Sequence, residues 1–239
     1  MTSRAIKRFW TSAEAAPHPE GWTVALDGRP VRTPAGGAFL APTRALAEAA
    51  AAEWDAQGER PDPRAMPLTR AVNTALDRVS ARRAEVAEEI ARFGASDLLC
   101  YRAPHPDELV RRQVAAWDPV LDWAESRFGV SLLRVEGVMH ASQPEPTLAA
   151  LSAAVHARDP FELTALHDLT TLTGSLVLAL AAAEGEIGAE DAWTRSRVDE
   201  TWQIERWGED AEAAAAAEAR RAAFLAAARL LSLLTPETP

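Results

Sequence analysis

The spacing of the apolar residues changes once along the chain, and that change constrains the fold more than any other feature. Trp22, Val24 and Leu26 alternate at a spacing of two, which predicts a half-buried strand over 22–26. Asp27-Gly28 follows directly and is a dipeptide that favours a two-residue hairpin turn. The return segment, Arg29 to Thr33, contains Pro30 and closes at Pro34, so it is expected as a short or edge strand. Gly36-Gly37 then turns the chain toward Phe39-Leu40, and a small antiparallel sheet is predicted.

From Thr43 the spacing becomes helical. Leu46, Ala49, Ala50 and Trp54 recur at three and four residues, with Thr43 as the expected N-cap and Gly58 near the end. Pro61, Pro63 and Pro67 then remove amide donors and disfavour helix, so 61–67 is read as a linker and a domain boundary is placed there. Beyond it, Leu68, Val72, Leu76, Val79, Val86 and Ile90 predict one amphipathic helix of roughly six turns. Val110 to Phe128 continues the pattern, with Asp118-Pro119 as a kink or a fresh start. Asp159-Pro160 opens another helix reaching Thr173, and Ala189–Trp207 and Glu209–Leu234 are expected as two more. The fold class is therefore α+β: a β-rich N-terminal domain with one helix over 1–62, followed by a helical bundle over 63–239.

Composition narrows the function. A net charge of −10 argues against a general binder of nucleic-acid backbones, which relies on clustered Lys and Arg. The single cysteine, Cys100, sits among apolar residues and reads as an inert core thiol in a reducing compartment. The N-terminus lacks the run of about 7 to 15 apolar residues of a secretory signal, and the longest apolar stretch, Leu176 to Ala183, falls well short of the ~20 residues that span a bilayer. No export and no membrane insertion are expected. His156, Asp159, His167 and Asp168 match no ligand spacing, so no metal site is expected. Phosphate-loop, nucleophile-elbow and zinc-protease motifs are absent, and an enzyme is not indicated.

The most unusual segment is Asp199 to Gly208. On a continuous helix Trp193, Glu200, Ile204 and Trp207 share one stripe, which sets a carboxylate among apolar groups. Trp202 projects to another side, beside Glu205 and Val198. Two readings stand. Glu200 pairs with Arg197 three residues back while Trp202 packs on a neighbouring helix, or the segment is a partner surface, where Trp and Arg are enriched. Eight tryptophans against one tyrosine favour a protein that holds the apolar surface of another chain.

A set of short motifs points further. Arg8-Phe9-Trp10, Leu26-Asp27-Gly28-Arg29-Pro30 with Thr33-Pro34, Glu53-Trp54 with Gln57, and Met66-Pro67-Leu68-Thr69 lie in the first third of the chain. Asp97-Leu98-Leu99-Cys100-Tyr101-Arg102, Gln113 with Trp117-Asp118-Pro119, Gly174-Ser175, and Glu200, Gln203 and Trp207-Gly208 follow. In this order and spacing the chain resembles the Atp12 family, assembly chaperones of the F1 sector of ATP synthase. The resemblance implies a β-rich domain followed by a helical one, no cofactor, and binding of the free F1 α subunit, whose β-contacting surface is shielded from aggregation until F1 assembles. It implies partner-binding roles for Glu200, Gln203, Glu205, Trp207 and Trp202. Because the first motif begins within a few residues of Met1, a bacterial cytoplasmic member is expected, its counterparts being mitochondrial. The alternatives are a scaffold for some other partner and a small-molecule enzyme using Asp199, Glu200 and Glu205 as acid or base.

Overall fold

The structure is a computed structural model that describes residues 7–137 and 139–235. It is α+β, as expected from the change of spacing. Strands β1 (Ala13–His18), β2 (Gly21–Leu26) and β3 (Arg29–Pro30) form an antiparallel sheet in the order β1-β2-β3. Leu26 pairs with Arg29, which leaves Asp27 (φ 47) and Gly28 (φ 76) as the two turn residues, both left-handed as such a hairpin requires. The Asp27 carboxylate accepts from the Thr11 and Ser12 amides at 3.0 and 2.9 Å, and these bonds hold it below the usual carboxylate range. β1 was not expected: Ala-Glu-Ala-Ala-Pro-His carries no alternation, and it is a strand because β2 offers it a full six-residue register.

Helix α1 (Arg44–Asp55) is capped by Thr43, whose hydroxyl accepts from the Leu46 amide at 3.2 Å. Its Leu46, Ala47 and Ala50 are buried where it packs on the sheet, and Val24, Leu26 and Phe39 are buried in the same half of the chain. After one 3-10 turn at Pro63–Ala65, the single helix expected over 68–90 is helical throughout but not uniform. Helix α2 (Pro67–Thr74) passes into a π-helical turn (Ala75–Val79) and a 3-10 turn (Ser80–Arg82) before α3 (Arg83–Ala91). The widening coincides with two side-chain bonds: Ser80 Oγ donates to the Ala75 carbonyl at 2.8 Å, and Asp77 accepts from the Ala35 amide at 3.0 Å.

The remaining elements are almost all helical. A two-residue parallel pair, β4 (Tyr101–Arg102) and β5 (Val135–Glu136), is the exception. Helix α4 (Asp107–Phe128) is continuous through Pro119, so Asp118-Pro119 does not open a new helix. Then come α5 (Glu145–His156), α6 (Pro160–Thr173) and α7 (Leu176–Ala183). The longest apolar run of the sequence is α7, buried on every side from Leu176 to Ala181. Among the described residues no helix is long and apolar enough to cross a membrane.

The segment expected as one helix over 189–207 is two, α8 (Ala189–Ser196) and α9 (Val198–Trp207), separated at Arg197 (φ −111, ψ 17). The last acceptors of α8 are taken by side chains: the Trp117 indole donates to the Arg195 carbonyl, and Ser196 Oγ to the Trp193 carbonyl, both at 2.7 Å. The break coincides with these two bonds at the end of α8. Helix α10 (Ala211–Leu234) starts two residues later than expected, where Asp210 Oδ1 accepts from the Ala213 amide at 2.8 Å.

Packing divides the chain into two compact units. One holds the residues up to Arg83, Pro160–Ala165 and the segment from Arg229; the other holds Ala84–Asp159 and Leu166–Ala228.

Candidate partner-binding groove

The candidate residues of α9 are arranged by what fastens that helix to α4. Trp202, 5% exposed, lies between two guanidiniums, Arg206 at 4.3 Å and Arg112 at 4.9 Å from its ring. Arg112 also pairs with Glu205 at 2.7 Å and with Glu108 at 3.2 Å, and Glu108 reaches Arg206 at 3.1 Å. One turn earlier the fully buried Gln113 donates to Asp199 Oδ1 at 2.7 Å and accepts from the Ala103 amide at 2.8 Å. These bonds fix the inner side of α9.

Among the described residues the outer side makes no such bond to another helix, and its one ion pair joins Glu200 to Arg197 at the start of α9. Glu200, Gln203, Ile204 and Trp207 border an open groove of about 470 Å³, whose opposite wall is the start of α10, with Ala213, Ala214 and Ala217. Trp193 of α8 lies at its floor beside Phe224, ring centroids 5.7 Å apart. The break at Arg197 therefore interrupts the helix yet keeps the four residues of the expected stripe on one groove. Two of them are uncovered: Ile204 is 43% exposed and Trp207 78%.

Of the five sequence-derived site residues, then, the groove brings together Glu200, Gln203 and Trp207, while Glu205 and Trp202 face α4. The pairing of Glu200 with Arg197 is present at 2.6 Å, and so is the packing of Trp202 on a neighbouring helix. Both belong to the first of the two readings, but they leave Trp207 and Ile204 unpacked. The carboxylate trio of the enzyme alternative does not converge. Asp199 and Glu200 border a second cavity of about 200 Å³ that Glu205 does not reach. The α10 wall was missed, because an alanine run with sparse charge gives no sign of which side a neighbour leaves open.

Other motif residues prove to be backbone caps. Asp97, fully buried, accepts from Ser175 Oγ at 2.8 Å and from the Val177 and Leu99 amides at 2.9 and 3.0 Å, joining its own turn to the start of α7. Glu53 accepts from the Leu68 and Thr69 amides at 2.7 and 2.8 Å and so caps α2, whose own N-cap residue, Met66, makes no side-chain bond. Arg8 spans the carbonyls of Trp10, Asp55 and Gln57. Cys100 is buried, and that burial pushes its thiol up to about 12.

The crystal structure of Atp12 from Paracoccus denitrificans superposes on the chain with a TM-score of 0.92 at 46% identity, covering 96% of this chain and 98% of that one. The chain belongs to the Atp12 family. The sequence pattern of the ATP12 chaperone protein family matches residues 7–125. A proposed chaperone from Agrobacterium tumefaciens superposes equally well, with a TM-score of 0.92 at 47% identity over 96% of this chain and 86% of that one. Mitochondrial protein atp12 of Schizosaccharomyces pombe is 22% identical over 216 residues, 85% of this chain and 74% of that protein. The groove thus belongs to a member of a chaperone family.

Proposed function

We propose that this Atp12 family member is an assembly chaperone of the F1 sector of ATP synthase that binds the free α subunit, working in the bacterial cytoplasm. The observation that carries the reading is a large aromatic, Trp207, left 78% exposed on a helix whose other side is firmly anchored. An uncovered aromatic beside an apolar groove marks a partner site, and a chaperone needs such a site ready before its client arrives. A free α subunit exposes the apolar surface it later buries against β, and that surface aggregates unless it is covered. Release follows when β competes for an overlapping face, which requires the chaperone's interface to be the smaller or weaker one. Glu200, Gln203 and Trp207 are assigned contact with α, and Glu205 and Trp202 are assigned the support of α9.

Light scattering tests this. F1 α subunit diluted from denaturant should stay clear when the chaperone is present, with no ATP added. Equal turbidity with and without it refutes the chaperone reading.

A further inference from the structure

The groove has two unlike ends. At the inner end Arg197 pairs with Glu200 at 2.6 Å, and Arg221 is bonded both to Glu190 and to Glu218, the latter at 3.0 Å. Charge there is balanced. At the outer end the chain reverses at Gly208 (φ 88) and presents Glu209 and Asp210, both exposed. Among the described residues neither is paired with a base; Asp210 spends one oxygen on the Ala213 amide and Glu209 none. The lining as a whole carries four carboxylates, Glu200, Glu209, Asp210 and Glu218, against two guanidiniums, Arg197 and Arg221. Its uncompensated charge is therefore negative and sits at one end.

The walls decide what backbone can enter. Both are helices, whose amides and carbonyls are used internally, so no sheet edge is offered and an added strand would leave its own donors unmet. Ala213, Ala214 and Ala217 instead let a helix approach closely, with Ile204 and Trp207 as apolar contacts. The lining on this side runs from Arg197 to Trp207, and at 1.5 Å per residue that is roughly 15 Å, about three helical turns.

We infer that the groove takes an amphipathic helix of about three turns from the α subunit, its aliphatic residues spaced at i, i+3, i+4 and i+7 and its Lys or Arg side chains over Glu209 and Asp210. This rests on the α-subunit reading above and adds the class of segment bound. The net charge of −10 acts in the same sense, drawing a basic segment toward the protein before contact.

The test uses the full chain, F1 α subunit and two substitutions at exposed positions, Ala213→Trp, which fills the groove, and Glu209→Lys, which reverses its outer charge. Affinity is measured by calorimetry at about 50 and about 300 mM salt, with melting curves confirming that each variant is folded. Ala213→Trp should weaken binding by about tenfold or more, and Glu209→Lys severalfold with a shallower salt dependence. Wild-type binding left unchanged by both variants overturns the helix-in-groove assignment and leaves the chaperone reading standing. Tighter binding by Glu209→Lys also overturns it, because the occupant is then acidic. Loss of a self-associated form on Ala213→Trp, seen by sedimentation, gives the groove to a second copy and overturns it as well. Failure of the wild type to bind α at all removes the chaperone reading and the assignment together.

Discussion

Asp97 and Glu200 are both carboxylates of the helical part, and their surroundings give them opposite energetics. Asp97 is fully buried, and that burial raises it from 3.8 to about 6 against the opposing pull of its bonds to Val177, Ser175 and Leu99. Between those values the native chain holds a proton that the unfolded chain has released, so the contribution of Asp97 to stability declines as pH rises from about 4 to about 6 and is level above. The expected span is on the order of 3 kcal/mol. Urea unfolding of the wild type and of Asp97→Asn, step by step from pH 4 to 7, isolates it: the wild-type advantage should shrink over that interval, and a constant difference refutes the assignment. Glu200 is instead a partly exposed member of its pair, with 41% of its side chain accessible and 20% of that of Arg197. Such a pair is worth about 1 kcal/mol or less, so Glu200→Gln should melt close to wild type. If it touches α, its affinity should fall by about tenfold, the loss expected for a charge-assisted bond across a desolvated contact. Glu205→Gln is the control, because Glu205 bonds Arg112 and not the groove; its affinity for α should stay near wild type. A large melting shift for Glu200→Gln with unchanged affinity would make the residue purely structural. The sequence placed Glu200 and Arg197 within reach of each other. It could not tell how much water reaches them, which decides between the two outcomes.

At the scale of elements, what could be read in the sequence was local, and what escaped was set by partners far along the chain. Thr43 as the cap of α1 and Asp27-Gly28 as a turn needed only neighbouring residues. β1 needed β2 to define it, and the break at Arg197 lies beside a bond from the indole of Trp117, 78 residues before the carbonyl that accepts it. Periodicity alone therefore joins α8 and α9 into one helix. The same distinction explains why Glu53 stood out only as part of a motif. Its carboxylate caps α2 from 15 and 16 residues upstream, meeting amides that Met66 leaves open. Removing it by Glu53→Ala leaves two first-turn donors without that acceptor, and the loss should be about 1–2 kcal/mol, in the range of other lost N-caps. Glu53→Gln keeps one acceptor and should lose less. Chemical denaturation of both variants measures this, and an unchanged midpoint for Glu53→Ala would show that water replaces the carboxylate without penalty.

For the whole molecule, the composition shift at 61–67 and the extent of packing report different things. A proline run interrupts backbone hydrogen bonding, but it does not decide where side chains stop packing. The first compact unit continues past it to Arg83, and within it Glu53 of α1 holds the amides that open α2. We propose that 61–67 is nonetheless where a protease enters first. Arg64 lies in the 3-10 turn Pro63–Ala65 with 88% of its side chain accessible, while the arginines of the long helices sit in regular backbone that a protease must first unfold. Brief trypsin treatment should therefore cut after Arg64 before it cuts within Leu68–Ile90. The nicked protein should still elute as one species under native conditions, since the two carboxylate bonds to Leu68 and Thr69 and the packing of α1 on α2 bridge the cut. Two bands on a denaturing gel with a single native peak are expected. A first cut inside Leu68–Ile90 would show that the helical run opens more readily than the proline segment, and separation of the fragments under native conditions would show that α1 and the cap of α2 do not carry the connection.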